Sequence, residues 1–72
     1  MKMNKVISGA IKAIGYDAER QDMDIQFKSG ETYTYNPITQ KKYNNFLNAE
    51  SLGAHFYRNI KTMKGITVKK LV

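Results

Sequence analysis

The chain has 72 residues, with 12 Lys and Arg against 6 Asp and Glu, one His and no Cys. That length holds one small domain. The absence of Cys excludes a disulfide scaffold, thiolate catalysis, cysteine-bound zinc and iron–sulfur clusters, and one His cannot build a multi-histidine metal site. No apolar run approaches the roughly 18–20 residues of a membrane span, and no uninterrupted apolar stretch follows the basic start, as a signal peptide would require. The expectation is a cytoplasmic, non-enzymatic protein with no cofactor, no metal and no membrane partner.

The net charge of +6 is unevenly placed. Lys2, Lys5 and Lys12 make the first 16 residues basic. Asp17, Glu19, Asp22, Asp24 and Glu31 outweigh Arg20 and Lys28 in the next segment. From residue 32 onward Lys41, Lys42, Arg58, Lys61, Lys64, Lys69 and Lys70 face Glu50 alone. Such asymmetry either marks an anion-binding face or keeps a small domain in solution. No run of four basic residues occurs.

Residues 1–7 read as a flexible start. Residues 10–17 are rich in Ile and Ala, and Gly15 argues for strand over helix. Ile11 and Ile14 are three apart, so a bulge between them is needed to put both on one face. Residues 23–28 alternate apolar and polar without error, and residues 32–35 alternate again with residues of high strand propensity. A hairpin joins them. With a two-residue Ser29-Gly30 loop, Tyr33 and Tyr35 face away from Ile25 and Phe27. With a three-residue Lys28-Ser29-Gly30 loop and left-handed Gly30, Ile25 pairs with Tyr33 and Met23 with Tyr35. The second loop is favoured, because a core this small needs both rings.

Asn36-Pro37 ends the strand, since Pro cannot donate to a ladder. Thr39 caps a short helix, with Ile38 and Tyr43 at the spacing of a hydrophobic staple and Tyr43, Phe46 and Leu47 as its apolar stripe. Lys41 and Lys42 in its first turn oppose the helix dipole. Ser51 caps a second helix that presents Leu52, Phe56, Ile60 and Met63 and stops at Gly65, with Lys61 and Lys64 in its last turn. Gly53 in the first turn costs about 1 kcal/mol relative to Ala, which predicts close approach to another backbone and a loss of about 1–3 kcal/mol for Gly53→Leu by overpacking. Residues 66–72 read as a short final strand or a basic tail. The expected fold is α+β: a three-stranded antiparallel meander followed by two helices packed on one face.

This order of residues resembles the KTSC domain, a short bacterial domain named for its occurrence at the C-terminus of some lysyl-tRNA synthetases. Ser8-Gly9-Ala10-Ile11-Lys12-Ala13-Ile14-Gly15-Tyr16-Asp17 is similar to the family's opening. Phe27-Lys28-Ser29-Gly30 followed by Tyr33-Thr34-Tyr35 is similar to its centre. Tyr43, Ala49-Glu50-Ser51-Leu52-Gly53, Phe56 and Ile60-Lys61 resemble its ending. The resemblance spans residues 8–61 and implies a free-standing α+β domain over 8–64, with a C-terminal extension at 65–72, in a bacterial or phage setting. It implies little about activity, since no catalysis is assigned to the family, and it suggests RNA binding only through the synthetase context. Thr39 stands where the family often has Pro, Tyr57 replaces the Asn common after Phe56, and residues 62–72 run past the family pattern.

His55 lacks a carboxylate at helical spacing, and Ser51 lacks a nucleophile elbow. The ordinary roles of helix-surface His and N-cap are preferred. Asp22 and Asp24 share a strand face, as a weak cation site or as a solvated face. The best binding signal combines Tyr33 and Tyr35 with basic residues Lys41, Lys42, Arg58, Lys61, Lys69 and Lys70. Aromatics on a sheet beside Lys stack bases and track phosphates. If those rings belong to the core, only weak, salt-sensitive phosphate attraction remains. Two functions stay open: an RNA or other nucleic-acid binding module, and a small bacterial or phage-borne regulator or inhibitor that docks on a host protein. An exposed sheet edge could also pair with a second copy.

Overall fold

The computed structural model describes residues 2–71; Met1 and Val72, at the ends of the expected lead-in and tail, lie outside the described residues. The sheet has five antiparallel strands in sequence order: β1 (Met3–Lys5), β2 (Ile11–Asp17), β3 (Asp22–Phe27), β4 (Thr32–Asn36) and β5 (Thr67–Lys70). The expected three-stranded meander is its centre, β2–β3–β4. The two outer strands correct the count. Residues 3–5, placed in a flexible start, pair with β2, Met3 opposite Gly15 and Lys5 opposite Ala13. The C-terminal segment forms a strand on β4, Val68 opposite Tyr35 and Lys70 opposite Tyr33.

The β2–β3 ladder shifts register between Ile11 and Ala13. That bulge puts both Ile11 and Ile14 on the core side, where they are fully buried. The β3–β4 turn is the three-residue loop: Phe27 N–H donates to the Glu31 carbonyl at 2.8 Å, Gly30 N–H to the Phe27 carbonyl at 3.0 Å, and Gly30 has φ +101°. Only glycine adopts that φ without strain. The register follows, Ile25 with Tyr33 and Met23 with Tyr35, so all the large apolar side chains of the hairpin face one way.

Two helical segments cross that face between β4 and β5. The first, α1 (Gln40–Leu47), is capped by Thr39, whose hydroxyl accepts from Lys42 N–H at 3.3 Å. Tyr43 stacks on Tyr16 with ring centroids 4.3 Å apart, and the Tyr16 hydroxyl donates to the Ile38 carbonyl. These contacts hold α1 over β2. Phe46 is fully buried, but Leu47 is 42% exposed. The expected stripe is therefore one residue too wide, because a helix of barely two turns rests on the sheet along a single row.

The second, α2 (Leu52–His55), starts at Ser51, whose hydroxyl accepts from Ala54 N–H at 3.4 Å. It widens into a π turn, Phe56–Ile60, closed by Lys61 N–H on the Phe56 carbonyl at 2.8 Å. Phe56 and Ile60 are buried, with Leu52 and Met63 half-buried against the same core. The helix ends at Ile60 and not near Gly65. The Thr62 hydroxyl takes up the Arg58 carbonyl at 2.8 Å, a side-chain bond that replaces the next helical one. Gly65, with φ +81°, serves the turn into β5.

Gly53 corrects another expectation. A Cβ built there meets nothing closer than the Ser8 hydroxyl at 4.0 Å, which is ordinary contact. No tight approach requires glycine. Gly53→Ala is therefore expected to raise stability by up to about 1 kcal/mol through helix propensity, and Gly53→Leu is expected to fold without the overpacking loss. A thermal melt of each variant checks both; a lowered midpoint for Gly53→Ala would contradict them.

Candidate functional site

The two helical segments do not cover the whole sheet. Between the α2–π segment and the β3–β5 half lies an open groove of about 680 Å³. Its floor is aromatic. Phe27, Tyr33, Tyr35 and Phe56 form a closed ring of contacts, with centroid separations of 5.9 Å (Phe27–Tyr33), 6.5 Å (Tyr33–Tyr35), 5.4 Å (Tyr35–Phe56) and 5.5 Å (Phe56–Phe27). Three of the four are edge-to-face. Ala10, Ile11 and Val68 complete the apolar lining, and Gly53 leaves the helix side open.

Polar groups stand at the rim: Lys28, Ser29, Glu31, Tyr57 and Lys61. Glu31 accepts from the Tyr33 hydroxyl at 2.9 Å and pairs with Lys70 at 3.3 Å. These two contacts, the tyrosine hydrogen bond first, hold its carboxyl below the usual value. The same hydrogen bond raises the Tyr33 phenol above 10, with burial adding to it. Tyr35 sits deeper, only 5% exposed, and burial pushes its phenol up to about 12, with Tyr33 adding a smaller push. Lys61 Nζ lies 4.5 Å from the centre of the Tyr57 ring.

Tyr33 and Tyr35 thus share the helix-side face with Ile25 and Phe27. Tyr35 is core and Tyr33 is half-buried. The basic candidates are dispersed. Lys61 lines the groove, Lys70 reaches its rim through Glu31, and Lys41 and Arg58 are exposed. Lys42 reaches Met63 Sδ at 2.9 Å beside a second, smaller hollow lined by Asn45, His55, Asn59 and Ile60. Lys69 is opposite Thr34, on the helix-free face. His55 lies 3.4 Å from the Asn59 side-chain nitrogen and near the Phe46 ring, 5.6 Å between centroids. Asp22 accepts from Asn36 at 2.6 Å and Asp24 from Thr34 at 2.5 Å; both carboxylates serve cross-strand bonds on the helix-free face. Among the described residues no three His, Cys, Asp or Glu side chains gather as a metal site.

Phe27, Phe56, Val68, Lys28 and Gly53 were not singled out as site residues by sequence reasoning. The signal that could have found them is Val68 in the tail: a fifth strand widens the sheet by about 4.8 Å beyond what the helices cover.

Comparison with known proteins decides the family. The sequence profile of the KTSC domain matches residues 7–63. The chain belongs to the KTSC family. It is 36% identical over 56 residues to an uncharacterized protein of Stutzerimonas stutzeri, covering 78% of this chain and 79% of that one. It is 39% identical over 51 residues to a protein of Tsukamurella paurometabola, covering 71% and 76%. The crystal structure of a KTSC domain protein from Yersinia pestis superposes with a TM-score of 0.88 at 32% identity, covering 99% of this chain and 97% of that one. The superposition on that structure runs past the profile match and takes in both outer strands. None of these relatives carries an enzymatic description. Among the described residues no helix of this KTSC domain is long and apolar enough to cross a membrane.

Proposed function

We propose that the protein is a small non-enzymatic binding module that takes a protein partner in the aromatic groove. One observation carries the reading: the groove floor is apolar, and its rings are packed edge-to-face against one another. Rings so engaged offer side-chain-sized apolar contact more than free faces for stacked bases. The dispersal of the basic candidates over both faces of the sheet supports the same reading, since a nucleic-acid track needs them continuous. Ser51 as a cap and His55 beside Asn59 support a non-enzymatic module.

The second reading, RNA or another nucleic acid, draws on Lys28, Lys61 and Lys70 around the groove, on Lys41 and Lys42 in the first turn of α1, and on the charge of +6. Its attraction to phosphate is weak and salt-sensitive. Capture from nuclease-treated lysate separates the two when wild type is compared with Gly53→Leu, which adds a bulky side chain at the groove lining. The expected result is a protein retained after nuclease and lost with Gly53→Leu. Fluorescence anisotropy with single-stranded RNA across a salt series is the other arm. RNA binding weakened, with a flatter salt slope, in the Lys41→Glu, Lys42→Glu double variant would put the nucleic-acid reading in its place.

That double variant also tests the helix. Two acidic residues in the first turn of α1, where none stands now, suit the dipole by a few tenths of a kcal/mol each. Its melting midpoint is expected to equal or slightly exceed that of the wild type.

A further inference from the structure

β5 is an edge strand of the sheet, and all four of its residues are exposed. Leu71 N–H donates to the Thr32 carbonyl at 2.8 Å, directly opposite it and one step beyond the Lys70–Tyr33 pair. Antiparallel alternation then fixes which backbone groups are used. Thr67, Lys69 and Leu71 turn theirs toward β4. Val68 and Lys70 turn theirs outward. The side chains of these same two residues lie on the helix-side face, where Val68 lines the groove at 53% exposure and Lys70 holds the rim acid Glu31. The open hydrogen-bonding groups and the groove are thus two aspects of one ledge.

We infer that an extended acidic segment of a partner protein adds to β5 as a sixth strand and drops an apolar side chain over Val68 into the groove. The inference rests on the reading of the groove as the partner site and names how the partner is held. Antiparallel addition sets the register. The partner residue opposite Val68 exchanges both backbone bonds with it and points to the groove, so it is apolar. The residue two positions earlier faces Lys70, and the one between them faces Lys69 on the other side of the sheet. Both are acidic by charge complementarity: the first shares Lys70 with Glu31, and Lys28 and Lys61 on the rim outnumber that one acid. The recognised pattern is acidic, acidic, apolar. Main-chain bonds supply the affinity and the groove supplies the choice of side chain. A second copy is the poorer occupant, because pairing β5 with its twin brings both copies' Lys69 and Lys70 onto one short ladder. Lysines on an edge are an ordinary protection against self-pairing, and the same charge admits an acidic strand.

The test uses the full chain and an end-capped fluorescent peptide with a central Glu-Glu-Leu, read by anisotropy at low salt. Saturable binding is expected. It should weaken at least tenfold when the Leu is N-methylated, which removes its bond to the Val68 carbonyl, and when the two Glu are exchanged for Lys. Val68→Pro should weaken it equally: its N–H points away from β4, so the ladder loses no bond. The N-methylated peptide asks the same question with the protein unaltered, should that variant fail to fold. Absent binding, or binding indifferent to both backbone blocks, overturns the inference. If Gly53→Leu abolishes binding while the backbone blocks do not, the ligand enters the groove without joining the sheet; the edge inference falls and the proposed function stands. If Gly53→Leu also leaves nuclease-resistant capture untouched, both fall.

Discussion

Phe46→Ala is expected to cost about 3–5 kcal/mol, the range for deleting a large aromatic side chain from a packed core. Phe46 is among the largest fully buried side chains and the only fully buried residue of α1. A chain of 72 residues has about 4–11 kcal/mol of stability to lose, at roughly 0.05–0.15 kcal/mol per residue. The variant should therefore sit near or beyond the edge of folding. The adjacent Leu47, at 42% exposure, provides the contrast. Leu47→Ala is expected to change stability by about 1 kcal/mol or less. Urea unfolding followed by circular dichroism measures both. Equal losses at the two positions would mean that α1 is rotated from the orientation its buried face implies.

That contrast shows where the sequence was readable and where it was not. Both residues fit the apolar stripe of a helix, and periodicity alone gives each the same standing. Which of the two meets the sheet depends on the roll of α1, set by the Tyr16–Tyr43 stack and the Tyr16 bond to the Ile38 carbonyl across 22 residues of chain. Local devices were legible because their physics is local. The bulge after Ile11, the left-handed Gly30, the Thr39 and Ser51 caps and the break at Pro37 each follow from a residue type at one position. β5 was not fixed, because four residues with two adjacent lysines carry little pattern, and their pairing partner lies more than thirty positions back. The early end of the second helix was not legible either. A π turn has no composition of its own; it is recognised by the Phe56–Lys61 bond. The groove was missed as a consequence, since it exists only when β5 widens the sheet and the second helix stops short. The tyrosines were legible as a face but not as a depth. Sequence left core and stacking platform as alternatives for both rings, and the structure divides them by depth within the groove floor, Tyr35 buried in the core and Tyr33 half-buried.

This division makes Tyr35 the titrating group with the largest consequence. Its phenol is held at about 12 against an ordinary 10, because burial disfavours the phenolate. The unfolded chain releases that proton near pH 10, while the folded chain keeps it. The stabilisation is thus fully present below pH 10, declines as pH rises from 10 to about 12, and is gone above that. Two pH units correspond to at most about 2.7 kcal/mol, at 1.36 kcal/mol per unit. Tyr35→Phe keeps the ring in the floor of the groove and removes the titrating group. Its stability should therefore fall less steeply than that of the wild type between pH 10 and 12. Some slope remains, because Tyr16 and Tyr43 are also raised chiefly by burial and Tyr33 by its hydrogen bond to Glu31. Urea midpoints measured from pH 9 upward decide the point. Curves for the two proteins that separate by a growing margin above pH 10 support a buried, protonated Tyr35. Parallel curves would place its hydroxyl in water and reopen the groove floor as a stacking surface.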